Sequence, residues 1–295
     1  MSLSAMQMPM AADAPIGIFD SGVGGLTVLR HIRVDLPQEH LLYFADTGYA
    51  PYGDRSEAEI VERSLAIARF LLAQGAKALV VACNTATAAA ISAIRARYPE
   101  LIVVGIEPGL KPAAQQTRSK QAGVLATRAT LASARFIALR DQLSASHGVR
   151  FHGAACVGLA DLIEQGALNA PPTAQLLRGH LGALLEEGID TLVLGCTHYP
   201  FVLPLIEETL RRLGAPQINI IDTGVAVSRQ LTRLIDAAGL RRMTDRGNDG
   251  LDDAGRLSAY TSASAATLQN AFARLLQLTP PVTAVAPRAD VADPA

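Results

Sequence analysis

Short apolar runs alternate with longer amphipathic segments along most of this 295-residue chain. The short runs are rich in valine, isoleucine and leucine, as buried strands are, and the segments between them have the spacing of helices. We interpret these runs as strands: 16–20, 41–45, 78–82, 101–106, 122–126, 151–157, 192–195 and 218–222. The segment 256–261 is expected to return to the first half of the fold. This alternation predicts an α/β fold with mostly parallel sheets flanked by helices.

The two halves of the chain repeat one plan. The run at 16–20 aligns with 122–126, and the strand and turn around Cys83 align with those around Cys196. We therefore predict two pseudo-symmetric lobes with the active site in the cleft between them. The expected boundaries are 15–106 plus 224–278 for the first lobe, 107–223 for the second, and disordered ends at 1–14 and 279–295.

Composition narrows the class of protein. The net charge is −1, which gives no support for direct nucleic-acid binding. No apolar run approaches the roughly 20 residues that cross a bilayer, and the first residues lack the features of a signal peptide. Three cysteines are too few for a disulfide framework, so we expect a cytoplasmic protein without a membrane partner.

Polar residues follow the predicted strands at their carboxyl ends, where ligands bind in parallel sheets. Asp20-Ser21 lies at the end of the first strand, Cys83-Asn84-Thr85 follows the third, and Cys196-Thr197-His198 follows its counterpart in the second half. A thiol at a helix N-terminus is expected to have a lowered pKa. The repeated placement of the two cysteines favours a shared site, whereas Cys156 lacks such a context and is predicted to lie in the core.

Several chemistries use two thiols. Zinc binding by Cys83, Cys196, His198 and Asp20 lacks the close cysteine pairs of structural sites, and a dithiol redox site also needs close spacing. Stereoinversion at a carbon acid fits a duplicated fold, because one thiolate removes a proton from one face while the opposite thiol delivers another.

Two other candidate residues also have a purely structural interpretation. Asp20 could serve only as a helix cap, and by its spacing alone Glu164 would be an exposed residue at the end of a helix.

The glycine-rich loop at 22–25 matches neither a dinucleotide fingerprint nor a P-loop, although its N–H groups are suited to holding a carboxylate. The chain has only three lysines, Lys77, Lys111 and Lys120. Lys77 precedes its strand, and the other two flank a helical segment away from the cysteines. We therefore expect no pyridoxal phosphate, and the cysteine spacing noted above argues against a metal.

Four motifs together resemble one known family. They are Phe19–Val28, Ala45-Asp46-Thr47 with Pro51-Tyr52-Gly53, Ala82–Thr87, and Gly195–Pro200. In this order they closely resemble the glutamate racemases, within the aspartate/glutamate racemase superfamily, and the resemblance covers about 16–278. The segment 245–253 departs from the pattern as an insertion.

The resemblance implies a cofactor-independent enzyme that interconverts L- and D-glutamate and supplies D-glutamate for peptidoglycan. Cys83 and Cys196 would exchange protons at Cα, with Asp20, Glu164 and His198 assisting. The implied substrate-binding residues are Asp20, Ser21, Pro51, Tyr52, Gly53, Asn84, Thr85, Thr130, Thr197 and His198. We also expect a homodimer. An aspartate or related amino-acid racemase, and an amino-acid-binding protein without catalysis, remain alternatives.

Overall fold

A computed structural model describes residues 11–243 and 255–287. Over these ranges the strands are β1 (Ile16–Asp20), β2 (Leu41–Ala45), β3 (Ala78–Val81), β4 (Ile102–Gly105), β5 (Gln121–Ala126), β6 (Arg150–Ala155), β7 (Thr191–Gly195), β8 (Asn219–Asp222), β9 (Leu257–Thr261) and β10 (Val282–Ala284). Each predicted strand is present, with its ends shifted by a residue or two.

The strands form two sheets, and every pairing within them is parallel. The first sheet has the order β10-β9-β2-β1-β3-β4 and the second β6-β5-β7-β8. The order β2-β1-β3-β4 therefore recurs as β6-β5-β7-β8. This correspondence confirms the internal repeat and the two-lobed α/β fold predicted from the sequence.

Helices cover the sheets. They are α1 (Leu26–Asp35), α2 (Glu57–Ala73), α3 (Asn84–Arg97), α4 (Leu110–Gln116), α5 (Arg128–Ala132), α6 (Ala134–His147), α7 (Leu159–Glu164), α8 (Pro171–Glu186), α9 (Leu203–Arg212), α10 (Gly224–Ala237) and α11 (Ala265–Leu276), with 3₁₀ turns at Tyr52–Asp54 and Tyr199–Val202. The predicted capping box of α2 is present, since Glu59 N donates to Ser56 Oγ and Ser56 N donates to Glu59 Oε2.

The central strands of each sheet are buried on both faces. In the first sheet, β1 places Ile16 and Ile18 in one apolar cluster and Phe19 in the cluster on the opposite face. Two further clusters flank the second sheet. Burial on both faces explains why these strands are continuous apolar runs without polar alternation. The chain crosses to the second sheet through α4 and returns through α10, which packs on α1; the exact lobe boundaries stay a prediction.

The expectation of disorder at 279–295 is wrong for the part that the structure describes. Val282–Ala284 forms β10 beside β9, and Ala259 N donates to Pro281 O. The prolines obscured this strand, yet they precede it at the edge of a sheet, where proline is tolerated. Residues 11–14 form a turn that is likewise described. The predictions for 1–10, 288–295 and the insertion at 245–253 fall outside the described residues.

Within 11–243 and 255–287, no helix combines the length and apolar character needed to cross a membrane.

Candidate active site

The carboxyl ends of β1, β3 and β7 place Asp20, Cys83 and Cys196, with the polar residues that follow each, between the two sheets. Asp20 of the first lobe accepts a hydrogen bond at Oδ2 from Thr197 Oγ1 of the second, at 3.0 Å. Thr27 Oγ1 also donates to Thr197 O, at 3.0 Å. None of the following side chains is more than 8% exposed, so the site is closed: Asp20, Ser21, Tyr52, Cys83, Asn84, Thr85, Thr130, Cys196, Thr197 and His198.

Cys83 occupies the N-cap position of α3. Its sulfur accepts a hydrogen bond from Ala86 N at 3.4 Å, and its thiol donates to Ser21 Oγ at 3.5 Å. Burial, together with the nearby Asp20 carboxylate, raises the pKa of Cys83 to about 11. The helix N-terminus was expected to lower this pKa, but desolvation of the thiolate outweighs the single N–H bond.

Cys196 has a different neighbour. A 3₁₀ turn follows it, and His198 Nδ1 lies 3.6 Å from its sulfur. The other ring nitrogen, Nε2, lies 2.7 Å from Glu164 Oε1 at the end of α7. Burial disfavours the imidazolium, but these contacts with Cys196 and Glu164 outweigh it and raise the pKa of His198 well above its usual range.

The charges of this cluster are coupled. Burial raises the pKa of Asp20, although the positive charge of His198 opposes that rise. Burial would also raise the pKa of Glu164, but the hydrogen bond and charge of His198 outweigh it and hold that pKa below its usual value. An imidazolium between a carboxylate and a thiol is placed to exchange a proton with that thiol.

The glycine loop at 22–25 binds a carboxylate of the protein itself. Val23 N donates to Glu164 Oε1 at 2.8 Å, so Glu164 joins the loop of the first lobe to His198 of the second. A methyl group at Gly22 would overlap Glu164 Oε1, and one at Gly24 would lie 2.5 Å from His198 Nδ1. Positions 22 and 24 therefore need glycine, because side chains of the second lobe pack directly against the loop backbone there. The sequence predicted that this loop could hold a carboxylate, but no local pattern identified Glu164 as that carboxylate, since the two lie far apart along the chain.

Polar side chains next to Cys83 complete the cluster. The hydroxyls of Thr85, Thr127 and Thr130 contact one another at 2.9 to 3.5 Å. Asn84 is buried, and neither its side-chain oxygen nor its side-chain nitrogen has a hydrogen-bond partner. Buried polar groups are normally paired, so the Asn84 amide is free to bind a ligand. Thr127 was not among the residues predicted from the sequence, where its only signal is that of a helix N-cap, a position it occupies in α5.

The remaining implied substrate-binding residues lie in the loop after β2. Pro51 is exposed, whereas Tyr52 is buried in the same apolar cluster as Cys83. The Tyr52 hydroxyl donates to Asp46 Oδ2 at 2.5 Å. Gly53 faces Thr127 of the second lobe. This loop thus covers the Cys83 side of the cluster.

Residues outside the cluster have structural surroundings. Cys156 is buried, and its thiol donates to Ala154 O at 3.6 Å. Lys77 lies at the opposite end of β3 from Cys83 and pairs with Glu39 at 2.6 Å. In the parts of the chain that the structure describes, no group of three or more His, Cys, Asp or Glu residues is arranged to hold a metal ion.

A family model for Asp/Glu/hydantoin racemases matches residues 27–231. The chain belongs to this family of racemases. It is 57% identical over 224 residues to a glutamate racemase of Ectopseudomonas mendocina, covering 76% of this chain and 83% of that relative.

Solved racemase structures share the fold. A glutamate racemase isoform from Bacillus anthracis has a TM-score of 0.80 and 31% identity, covering 92% of this chain and 97% of its own. The Francisella tularensis glutamate racemase in complex with D-glutamate has a TM-score of 0.81 and 26% identity, covering 95% of this chain and 99% of its own.

Proposed function

We propose that this chain is a glutamate racemase, which interconverts L- and D-glutamate and supplies the D-enantiomer for peptidoglycan synthesis. The observation that carries this proposal is the pair of buried cysteines at corresponding strand ends of the two lobes. The 57% identity to a glutamate racemase and the similarity to a structure that contains D-glutamate support the same substrate.

The reaction needs two acid–base groups, one on each face of Cα. In one direction the Cys83 thiolate takes the α-proton of D-glutamate, and the Cys196 thiol then donates its own proton to the opposite face, giving L-glutamate. The reverse reaction starts from a Cys196 thiolate and a Cys83 thiol. Each turnover therefore exchanges the protonation states of the two sulfurs, and no atom other than hydrogen is transferred.

The α-proton of an amino acid is much less acidic than a thiol, so the deprotonated intermediate must be stabilised. Hydroxyl and amide groups of Ser21, Asn84 and Thr197 are suited to holding the substrate carboxylates in this buried site. The unpaired Asn84 amide supports this role. Asp20, Glu164 and His198 would orient the thiols and assist the proton transfers. Closure of the lobes over the substrate would exclude water from the intermediate.

Glutamate must reach a site whose side chains are almost fully buried, so binding requires an opening motion. The crossovers at 107–111 and 222–225 are the expected hinges between the lobes. Hydrogen exchange with and without saturating glutamate tests this step, and identical exchange at both crossovers and at the site loops would contradict it.

Other properties remain expectations from the sequence. We propose that catalysis needs neither pyridoxal phosphate nor a metal. The placement of Lys77 away from the cysteines supports the first point. A homodimer in the cytoplasm, without direct nucleic-acid contact, also remains a proposal.

The decisive test incubates the purified chain with L-glutamate, D-glutamate or L-aspartate and follows optical rotation. The proposal expects both glutamate enantiomers to reach the same racemic end point, without added cofactor and with a chelator present. Racemisation of aspartate but not glutamate would favour the aspartate racemases. Saturable glutamate binding without loss of rotation would favour a binding protein, and activity abolished by chelation would favour a metalloenzyme.

A further inference from the structure

Asp46 follows β2 in one of the motifs that carry the family resemblance, yet the proposed mechanism gives it no role. It is fully buried, and both of its carboxylate oxygens are bound. Arg63 Nη2 donates to Oδ1 at 2.8 Å, and Arg63 Nε donates to Oδ2 at 2.8 Å. The Tyr52 hydroxyl also donates to Oδ2. Asp46 therefore links α2 to the loop that covers Cys83.

Arg63 makes two further contacts. Its Nη1 donates to Pro287 O at 2.9 Å, and its guanidinium lies 3.9 Å from the centroid of the Tyr49 ring. Arg63 is 9% exposed, so its charge is largely removed from water and balanced by Asp46. One buried arginine thus joins the middle of α2, the start and the middle of the 46–54 loop, and the segment after β10.

The position of this loop connects these contacts to the reaction. Tyr52 packs in the cluster that contains Cys83, and Gly53 faces Thr127 of the second lobe. Tyr49, in the middle of the loop, is 47% exposed. Thr47 and Gly48 hold the loop to Thr261 and Ser262 through one hydrogen bond each. The pair Asp46–Arg63 is the buried ion pair of this loop, and through Tyr52 it reaches the part of the loop nearest Cys83.

We propose that Arg63 is a positioning residue that holds the 46–54 loop, through Asp46 and Tyr52, in the conformation that binds the substrate carboxylates. This inference rests on the proposed function. The planar guanidinium supplies two parallel hydrogen bonds to Asp46, a third to Pro287 and a stacking contact with Tyr49. Lysine carries the same charge but cannot reproduce this set.

The test compares Arg63→Lys and Arg63→Met with the wild-type chain. Arg178→Lys serves as the matched control, since Arg178 is an exposed residue of α8 in the second lobe. We expect KM to rise about tenfold for both glutamate enantiomers in Arg63→Lys while kcat changes by less than about threefold. The rise should be the same for both enantiomers, because the loop holds the substrate and does not discriminate between the thiols.

Hydrogen exchange supplies a readout that does not depend on activity. In Arg63→Lys, amides of the 46–54 loop should exchange faster while those of β1 and β3 keep their wild-type rates. Arg63→Met leaves Asp46 buried without its partner, so the lysine variant decides the matter if the methionine variant does not fold.

Two results would overturn the positioning role: an unchanged KM in a folded Arg63→Lys variant, or exchange that accelerates equally throughout the first lobe. A wild-type chain that fails to racemise glutamate would instead contradict the proposed function.

Discussion

The two cysteine-bearing units share a position in the fold but differ in what surrounds each sulfur. Cys83 caps α3 directly and contacts a backbone N–H and the Ser21 hydroxyl. Cys196 is followed by a 3₁₀ turn and contacts His198, which is bound to Glu164. Equivalent placement brings a thiol to each side of the site. The unequal surroundings indicate that the two half-reactions depend on different assisting groups.

The opposite ends of the same two strands show where the repeat was not retained. Six residues before each cysteine lies a charged residue, Lys77 before Cys83 and Asp190 before Cys196. Lys77 is buried and pairs with Glu39, whereas Asp190 accepts hydrogen bonds from the backbone of Arg118 and Ser119. At the amino ends of β3 and β7, away from the cleft, the corresponding residues thus carry opposite charges. At the carboxyl ends, which face the cleft, both units keep a cysteine.

The largest expected effect comes from removing either thiol. Cys83→Ser and Cys196→Ser should each lower racemisation by at least about 10³-fold, because a serine hydroxyl is a far weaker base than a thiolate. Cys156→Ser is the matched control and should retain most of the activity. A cysteine variant of the site that racemises at the wild-type rate would rule out the two-thiol mechanism.

A substrate analogue that loses a leaving group after deprotonation needs only one base, and so separates the two sulfurs. Cys196→Ser should retain elimination from the D-analogue and lose it from the L-analogue, and Cys83→Ser should do the reverse. The same enantiomer preference in both variants would contradict the assignment of one thiol to each face.

Replacing His198 tests the inequality between the two units. His198→Asn should lower kcat/KM for racemisation by about 10²-fold in both directions, which a racemic end point ties together, because Cys196 loses its acid–base partner. Elimination from the L-analogue, which uses Cys196, should fall by a similar factor. Elimination from the D-analogue, which uses Cys83, should fall much less. The raised pKa of His198 predicts that the imidazolium persists through neutral pH and is lost only as the pH rises above that value. Wild-type activity should therefore fall at alkaline pH as the imidazolium loses its proton. His198→Asn should lack this fall, and pH–rate profiles of both proteins measure it.

A glycine substitution tests the contact that joins the lobes. Gly22→Ala places a methyl group against Glu164 Oε1, and we expect a loss of about tenfold in kcat/KM from displaced catalytic groups. The control is Gly182→Ala in α8, where a methyl group meets nothing within 4 Å. That control should keep its activity and gain about 0.5–1 kcal/mol in unfolding free energy. Equal kinetics in the two variants would argue against a role for this contact.

The smallest effect concerns Asp190 in the second lobe. Hydrogen bonds from Thr117, Ser119 and Arg118 outweigh desolvation and lower the pKa of Asp190 to about 2. Its stabilisation is therefore present above the unfolded-state pKa of about 3.9 and is lost as the pH falls toward 2. Asp190→Asn should remove this dependence, by no more than about 1 kcal/mol because the carboxylate is largely solvated. Urea unfolding of both proteins between pH 2 and pH 6 measures the unfolding free energy. If that free energy had the same pH dependence in both, Asp190 would not be the source of the stabilisation.

The sequence was informative where a local pattern determines the structure. Apolar runs predicted the strands, and the repeated cysteine at a strand end predicted that Cys83 and Cys196 meet in one cleft. Contacts between distant segments left no such pattern. Glu164 reads as an exposed helix end, yet Val23 and His198 bind its carboxylate. The pKa of Cys83 was predicted in the wrong direction, because the cost of burial depends on the closed tertiary structure.

The central claim, that two thiols act from opposite faces of Cα, is tested most directly by isotope exchange in D₂O. L-glutamate is incubated with the chain, and early samples are resolved into enantiomers and analysed for deuterium at Cα. The account predicts that the D-glutamate formed carries solvent deuterium while the remaining L-glutamate keeps its α-proton, since a different thiol protonates the product. D-glutamate that retains the original α-proton, or L-glutamate that is deuterated as fast as product forms, would contradict it.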